Sequence, residues 1–271
     1  DPKTFRSFSN CILPNLVAKR QWRGQVLCYI RIYLAFCHTL DADWLQVKTC
    51  LEELQKTIEN FQLPLKRHLE SLLFYLSGTF YQGSGDLDTA LEIYQDPRFK
   101  ITTEKSSNIS STEQIEHDLA ILAGLNALLI LQEPKRFDPV RNSTMLNILE
   151  PLCLGHTNQD IVNAFNLIMV TVKTDPPKTV MEIKHHLSAA LNGTKKTSNS
   201  QLLSITVNLM FSIFFVGVIG TQAENSAQAA SRTAAKSGNP LWMSIANRML
   251  ARCYELHGKT ENAQAAMEIS L

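Results

Sequence analysis

Apolar residues recur at helical spacing along almost the whole chain, and this period constrains the fold more than any other feature. After Arg67 they stand at Leu69, Leu72, Leu73, Leu76 and Phe80, and near the end at Trp242, Ile245, Ala246, Met249, Cys253 and Leu256. Each set lays one apolar stripe along a helix. Strict alternation over strand length is rare, and the one Asn-Gly pair, Asn192-Gly193, follows a helical run instead of joining two alternating ones. Turn formers are scarce as well. Gly supplies 11 and Pro 10 of 271 residues, about 8% together against roughly 12% in average usage. A sheet protein would need more of them.

The period predicts helices over 4–20, 22–38, 43–61, 65–82, 86–96, 112–132, 143–153, 158–174, 178–191, 199–219, 222–237, 241–257 and 260–270. Asp43 with Gln46, Ser111 with Gln114 and Ser198 with Gln201 resemble capping boxes. Pro64 suits a first helical turn, while Asp138-Pro139 and Asp175-Pro176-Pro177 mark breaks between helices. The one long polar stretch, Lys100–Thr112, reads as a surface loop. Residues 1–271 are therefore expected to form a single all-α, helical-repeat domain. A start at Asp1 instead of Met suggests a piece of a longer chain.

Charge and chemistry-bearing residues exclude several classes. With 26 Lys and Arg against 25 Asp and Glu, the net charge is +1, too little for direct, non-specific gripping of DNA. Basic residues cluster locally at Lys19, Arg20 and Arg23, at Lys66 and Arg67, at Lys135, Arg136 and Arg141, and at Lys195 and Lys196. These read as solvated surface, or as a patch for an acidic or phosphorylated partner or for DNA backbone. The six cysteines, Cys11, Cys28, Cys37, Cys50, Cys153 and Cys253, form no CxxC pair and sit mostly inside apolar helical patterns, as buried thiols of a reducing compartment do. No signal peptide is visible, so the sequons at Asn108, Asn142 and Asn192 are expected to be polar loops. The most apolar stretch, Leu202–Gly220, is interrupted by Ser204, Thr206, Asn208 and Ser212 and reads as a buried helix, not a membrane span.

Catalytic motifs fail on inspection. Gly258-Lys259-Thr260 resembles the end of a phosphate-binding loop, but Cys253 stands where that motif needs its first Gly. Gly83-Ser84-Gly85 has no third Gly and no preceding strand. His185 and His186 are adjacent and so point about 100° apart on a helix, which suits no shared metal. Glu52 and Glu53 read as a solvated face. No catalytic, cofactor-binding or metal-ligating set is expected, nor a small-molecule substrate or a membrane.

Two segments share more than helicity: Phe74–Pro97 and Asn247–Ser270. Without gaps, each has a small residue (Gly78; Ala251), then Tyr three later (Tyr81; Tyr254), Gly four after that (Gly85; Gly258), Ala five further (Ala90; Ala263) and a bulky residue four beyond (Tyr94; Met267). The pattern resembles the tetratricopeptide repeat, a helix–turn–helix unit of about 34 residues. Its chemistry is packing. The small residue lets the second helix approach, the Ala fits against the first, and the Gly supplies a helix-terminating conformation that other residues resist. A superhelical array of such helix–turn–helix (tetratricopeptide-like) repeats is the expected fold, with Ala227, Ala230 and Ala234 as a degenerate second helix. Such arrays leave a concave face for a partner peptide or domain.

In order along the chain, Leu65–Pro97, Leu122–Pro134 with Leu149–Cys153, Gln201–Ala227 and Gly238–Ala263 resemble the cohesin-loading factor family, fungal branch. The resemblance covers about 65–263 and is less distinctive over 1–60. It implies the tetratricopeptide subunit of the cohesin loader, a nuclear, non-enzymatic adaptor whose superhelix wraps an extended segment of a HEAT-repeat loader subunit. That pair places the cohesin complex on chromosomes for sister-chromatid cohesion. The family's longer chains imply that this one is a C-terminal portion. They also imply a surface patch for chromatin receptors in that half, which would connect the chain to chromatin indirectly, through protein partners. Lys195 and Lys196 are the candidates for the patch, chosen on charge. The alternatives are a general helical-repeat scaffold of the proteasome-lid or signalosome type, whose usual terminal strand pair has no counterpart after Leu241, and an all-helical enzyme.

Overall fold

A computed structural model describes residues 22–60, 66–101, 111–174, 176–197 and 200–270. Among them there are twelve α-helices and no strand. The helices are α1 (Trp22–Leu40), α2 (Trp44–Asn60), α3 (Lys66–Ser84), α4 (Leu87–Tyr94), α5 (Ser111–Ile130), α6 (Pro139–Leu154), α7 (Gln159–Thr171), α8 (Val180–Gly193), α9 (Ser200–Phe215), α10 (Gly220–Ser237), α11 (Pro240–Leu256) and α12 (Thr260–Ser270). Short 3₁₀ turns occupy Pro97–Phe99 and Thr194–Lys196. The helix expected at 4–20, Lys19, Arg20, Cys11, Asn108, Pro64 and most of the polar stretch after Lys100 lie outside the described residues, as does the Ser198 cap. The chain divides into two compact units, one ending at Arg136 and the other beginning at Phe137.

In the first unit, α1, α2 and α3 bury their apolar stripes against one another. Cys28 meets Leu54, Ile58 and Leu69, while Leu34 and Ala35 meet Val47, Cys50 and Leu51. The expected cap at Asp43 forms, its Oδ1 accepting the Gln46 N–H at 3.2 Å. Helix α4 then folds back on α3, and α5 packs on both. The Tyr75 hydroxyl accepts from Asn126 Nδ2 (3.0 Å), and its ring stacks 5.9 Å from Tyr94 and edge-on to Phe99 at 6.4 Å. Ion pairs tie the ends. Arg136 holds Asp88 at 2.8 Å and also pairs with Glu133, and Arg67 lies 3.6 Å from Glu116. These basic residues, read from sequence as free surface or a patch, thus have internal partners.

In the second unit one core runs continuously from α7 to α12. It joins Val170, Leu187, Val207, Phe211, Phe215, Ala227, Leu250 and Ala263. Helix α10 presents Ala223, Ala227, Ala230 and Ala234, all fully buried, so α9 and α11 can both close on it. The apolar stretch at 202–220, expected as one buried helix, is helical in this core only as far as Phe215; the chain turns over 216–219, where Val218 is exposed, and Gly220 already begins α10. Its polar residues are satisfied locally, as Thr206, Asn208 and Ser212 each bond a carbonyl four residues back at 2.8–3.0 Å. No helix among the described residues is long and apolar enough to cross a membrane.

Two details correct the sequence reading. Helix α6 begins at Pro139, four residues earlier than expected. The Asp138 carboxylate accepts the Val140 and Arg141 N–H groups, and Pro139 fills the first turn, where its missing N–H costs nothing. The sequons at Asn142 and Asn192 are not loops. Asn142 is buried inside α6, where its Nδ2 donates to the Lys173 carbonyl at 2.9 Å, and Asn192 lies near the end of α8.

The two repeat hairpins end their first helices in the same way. Gly85 (φ +93°) and Gly258 (φ +69°) are left-handed. Around each, the following residue's N–H reaches back to a tyrosine carbonyl, Asp86 to Tyr81 and Lys259 to Tyr254, both at 2.9 Å. The glycine N–H bonds the next carbonyl along, Gln82 or Glu255. This is the Schellman closure. An L side chain at either glycine strains the backbone even though space is free. Gly258→Ala should therefore cost about 1 kcal/mol. Gly155→Ala, where φ is −109° and the added methyl meets nothing, should raise stability by about 0.5 kcal/mol. Urea denaturation of the two variants beside the parent checks both signs.

Candidate functional site

A groove of about 790 Å³ opens in the first unit between α2, α3 and α4. Its floor is apolar: Leu51 and Ile58 from α2, Leu73, Phe74 and Phe80 from α3, and Ile93 from α4. Its rims carry Lys48, Glu52, Gln55 and Glu59 on one side and Glu70, Ser77 and Tyr81 on the other, with Arg98 beyond. The amphipathic stripes explain this. Positions 51, 54 and 58 face the core on α2, and 48, 52, 55 and 59, spaced 4, 3 and 4 residues from one another, form the neighbouring polar stripe. Arg98 is placed by its own turn. Asp96 caps it through the backbone N–H at 2.9 Å, and the guanidinium lies 4.2 Å over the Phe74 ring. An open apolar floor with charged rims suits a peptide segment more than a small molecule.

Gly78 and Tyr94 of the repeat pattern meet at the contact of α3 with α4. A methyl on Gly78 would come within 2.7 Å of the Tyr94 ring and 3.1 Å of Ile93, so α4 lies directly on α3 there. Tyr94 is buried, donates to Gln82 Oε1 at 3.0 Å and lies 3.3 Å from Thr79 Oγ1. Burial raises its phenol well above the ordinary range. Tyr75 beside it is pushed up to about 12 by the same cause. Ala90, Ala251 and Ala263 are buried. Tyr81 and Tyr254 are half-buried; Tyr81 packs edge-on to Phe80, and the Tyr254 hydroxyl accepts from Gln228 of α10 at 3.2 Å. Lys195 and Lys196 are both exposed on the 3₁₀ turn after α8. They lie in the second unit, whereas the groove belongs to the first.

Several other titratable groups are buried or paired within the fold. Burial pushes the thiols of Cys28 and Cys50 up to about 11 and that of Cys153 up to about 12, and it also raises Cys253. These four cysteines are buried and form no disulfide, which makes them poor nucleophiles; Cys37 is buried as well. His186 turns its Nδ1 to Asn166 Oδ1 at 2.9 Å, while His185 is exposed. Burial holds the His186 imidazole below its ordinary value, and the neighbouring His185 adds to this. The Gly258-Lys259 segment serves a clip. Lys259 Nζ donates to both oxygens of Glu224 (2.7 and 2.8 Å), and His257 Nδ1 lies 2.7 Å from the same carboxylate.

Sequence reasoning missed this clip and the groove, because each is assembled from residues far apart in the chain. It also missed the capping box of Thr179 and Glu182, which follows the usual T-x-x-E pattern. The Lys259 hydrogen bonds, with those of His257, hold the Glu224 carboxyl below its ordinary value. A depressed carboxyl contributes stability that is complete above its unfolded pKa and is lost as pH falls through the folded one. Glu224→Gln should thus destabilise the protein at neutral pH, and the gap to the parent should close as pH drops below about 4.3. Denaturation midpoints measured from pH 7 to pH 3 check this, and a gap that stays constant would refute it.

No curated protein matches the chain. A solved structure described as the crystal structure of BtubC (BKLC) from P. vanneervenii aligns with 99% of this chain and 85% of its own, at 11% identity and a TM-score of 0.39. The sequence model of the family described as "Cohesin loading factor" matches residues 2–261, nearly the whole chain. The chain belongs to the cohesin loading factor family.

Proposed function

We propose that this protein is a non-catalytic adaptor of the cohesin loader. In this reading it holds an extended segment of the HEAT-repeat loader subunit in the groove of its first unit. With that subunit it helps place the cohesin complex on chromatin in the nucleus, for sister-chromatid cohesion. The observation that carries this is family membership over residues 2–261, which gives a role in cohesin loading. The adaptor reading adds to it the groove between α2, α3 and α4, open, apolar-floored and rimmed with charge.

Contact with chromatin is indirect in this reading. Lys195 and Lys196 stand exposed on a short turn, and we assign them to a protein partner on chromatin, not to DNA, since the net charge of +1 supplies little counterion release.

Affinity purification of the full-length protein from nuclear extract, read by mass spectrometry, should recover the HEAT-repeat loader subunit and cohesin. Recovery of neither would defeat the proposal. Ser77→Trp places an indole in the groove and should reduce recovery of the loader subunit about tenfold or more, with the helical circular dichroism unchanged. Charge reversal at Lys195 and Lys196 should instead lower the chromatin-bound fraction and leave loader-subunit recovery intact. An unchanged chromatin fraction would remove the two lysines from the interface.

A further inference from the structure

We propose that the outward face of the α10–α11 hairpin is a docking surface for a run of Asp and Glu in a partner polypeptide, held by Arg232, Lys236, Arg248 and Arg252. The surface belongs wholly to the second unit and does not rest on the reading of the groove.

The face follows from the register of the two helices. Ser231 donates to Asn247 Oδ1 at 2.7 Å, and Gln228 donates to the Tyr254 hydroxyl at 3.2 Å. Residue numbers fall along α11 as they rise along α10, so the pair is antiparallel, with Ser231 and Asn247 in its seam. The next residue on each helix is turned about 100° from the seam, and in an antiparallel pair both turns lead to the same side. Arg232 and Arg248 therefore stand side by side, about one interaxial distance of 8–10 Å apart. Lys236 and Arg252, one turn further along their own helices, extend the same side in opposite directions. The other side is the core: Ala223, Ala227, Ala230 and Ala234 of α10 are buried, as are Ala246, Leu250 and Cys253 of α11. All four basic residues are exposed.

The fold itself does not balance these charges. Arg67, Arg136 and Lys259 each have an acidic partner, but among the described residues none of these four forms an ion pair. At i±3 and i±4, Arg232 has Gln228, Ala229, Ala235 and Lys236, and Arg248 has Ser244, Ile245, Ala251 and Arg252. Each helix thus sets two cations at i, i+4, a repulsive spacing, and the hairpin places the two pairs next to each other. Lys236 gains from its place in the last turn of α10, where the helix dipole favours a cation; the other three have no such local reason. The hairpin holds two acidic residues. Glu224 is taken by Lys259 and His257. Glu255 stands one turn beyond Arg252, at the far end. Four cations facing that one carboxylate leave a positive surplus that an incoming anion would offset.

The geometry favours carboxylates on a polypeptide. Three of the four residues are arginines, whose planar forks match carboxylates. No aromatic ring stands among them as a platform for a base: α10 has none, and Trp242 and Tyr254 of α11 pack against the core. Ile245, exposed beside Arg248, offers an apolar contact next to the charges. Lys236 and Arg252 lie about 12 Å apart along the hairpin at 1.5 Å per residue, and one interaxial distance across it. An extended chain covers that diagonal in about five residues.

The probe is a fluorescein-labelled peptide with about five consecutive Glu in a Gly-Ser frame, titrated with the purified full chain in fluorescence polarisation. It should bind, and its counterpart with Gln in place of every Glu should not. R232E/R248E should weaken binding about tenfold or more. K56E/K135E makes the same change of total charge at exposed positions of the first unit and should leave binding intact. R232E/R248E also turns both repulsive i, i+4 pairs into attractive ones, so its urea midpoint should equal or exceed the parent's. No binding of the Glu peptide, binding that survives R232E/R248E, equal losses in the two variants, or a midpoint below the parent's would each overturn the proposal. Displacement of the peptide by an oligothymidylate at lower concentration than by unlabelled Glu peptide would assign the face to nucleic acid instead. Tighter binding of a phosphoserine peptide without Glu would assign it to a phosphorylated partner, and the run of carboxylates would fall.

Discussion

The tight reversal at the end of a helix is the constraint on which the packing depends. A helix that terminates on a left-handed glycine returns the chain within one residue, so the next helix must lie antiparallel against it. Gly85 and Gly258 do this with the same pair of backbone bonds, and Gly238 is left-handed at the end of α10. The residue after each glycine begins the next helix. Asp86 and Asn239 accept a backbone N–H with their side chains, and the Lys259 carbonyl accepts from Ala263. With stop and start fused, the apolar stripes of successive helices are brought face to face, and a core forms that passes from neighbour to neighbour.

Close approach then depends on small residues at the crossings. The four alanines of α10 leave room for α9 and α11, and Gly78 leaves room for the Tyr94 ring. Where space is filled by larger polar groups, they bond across the seam. Ser231 donates to Asn247 Oδ1 at 2.7 Å between α10 and α11, and Ser212 Oγ lies 2.9 Å from the Ala223 carbonyl between α9 and α10. A buried hydroxyl that reaches a carbonyl of the next helix fixes the crossing more specifically than apolar contact does.

Helix number and type were legible because the apolar period is local information, readable within a dozen residues. Boundaries were legible where the cap is made by side chain and spacing, as at Asp43, and misread where one dipeptide does two jobs. Asp138-Pro139 breaks the preceding segment and starts α6 at once. Gly85 and Gly258, which recur in the sequence in register with Tyr81 and Tyr254, both end a helix in the left-handed conformation. Asn142 was misread because a sequon says nothing about burial. The groove was not legible at all. Its lining comes from four segments of the chain, and only the packing of α2, α3 and α4 brings them to one groove.

The near-zero net charge also changes meaning once the partners are known. It is no even scatter of signs. Arg136 is engaged by Asp88 and Glu133, Arg67 by Glu116, and Lys259 by Glu224, so much of the charge ties helices together. The groove mixes the signs as well, since Glu52 stands one turn from Lys48, and Arg98 lines a pocket with Arg67, Glu70 and Glu116. Total charge sets long-range attraction to nucleic acid, whereas sorted charge sets the register and direction of a bound chain. With a net charge of +1 and both signs mixed along the groove, the fold uses its charge chiefly for contacts between its own helices.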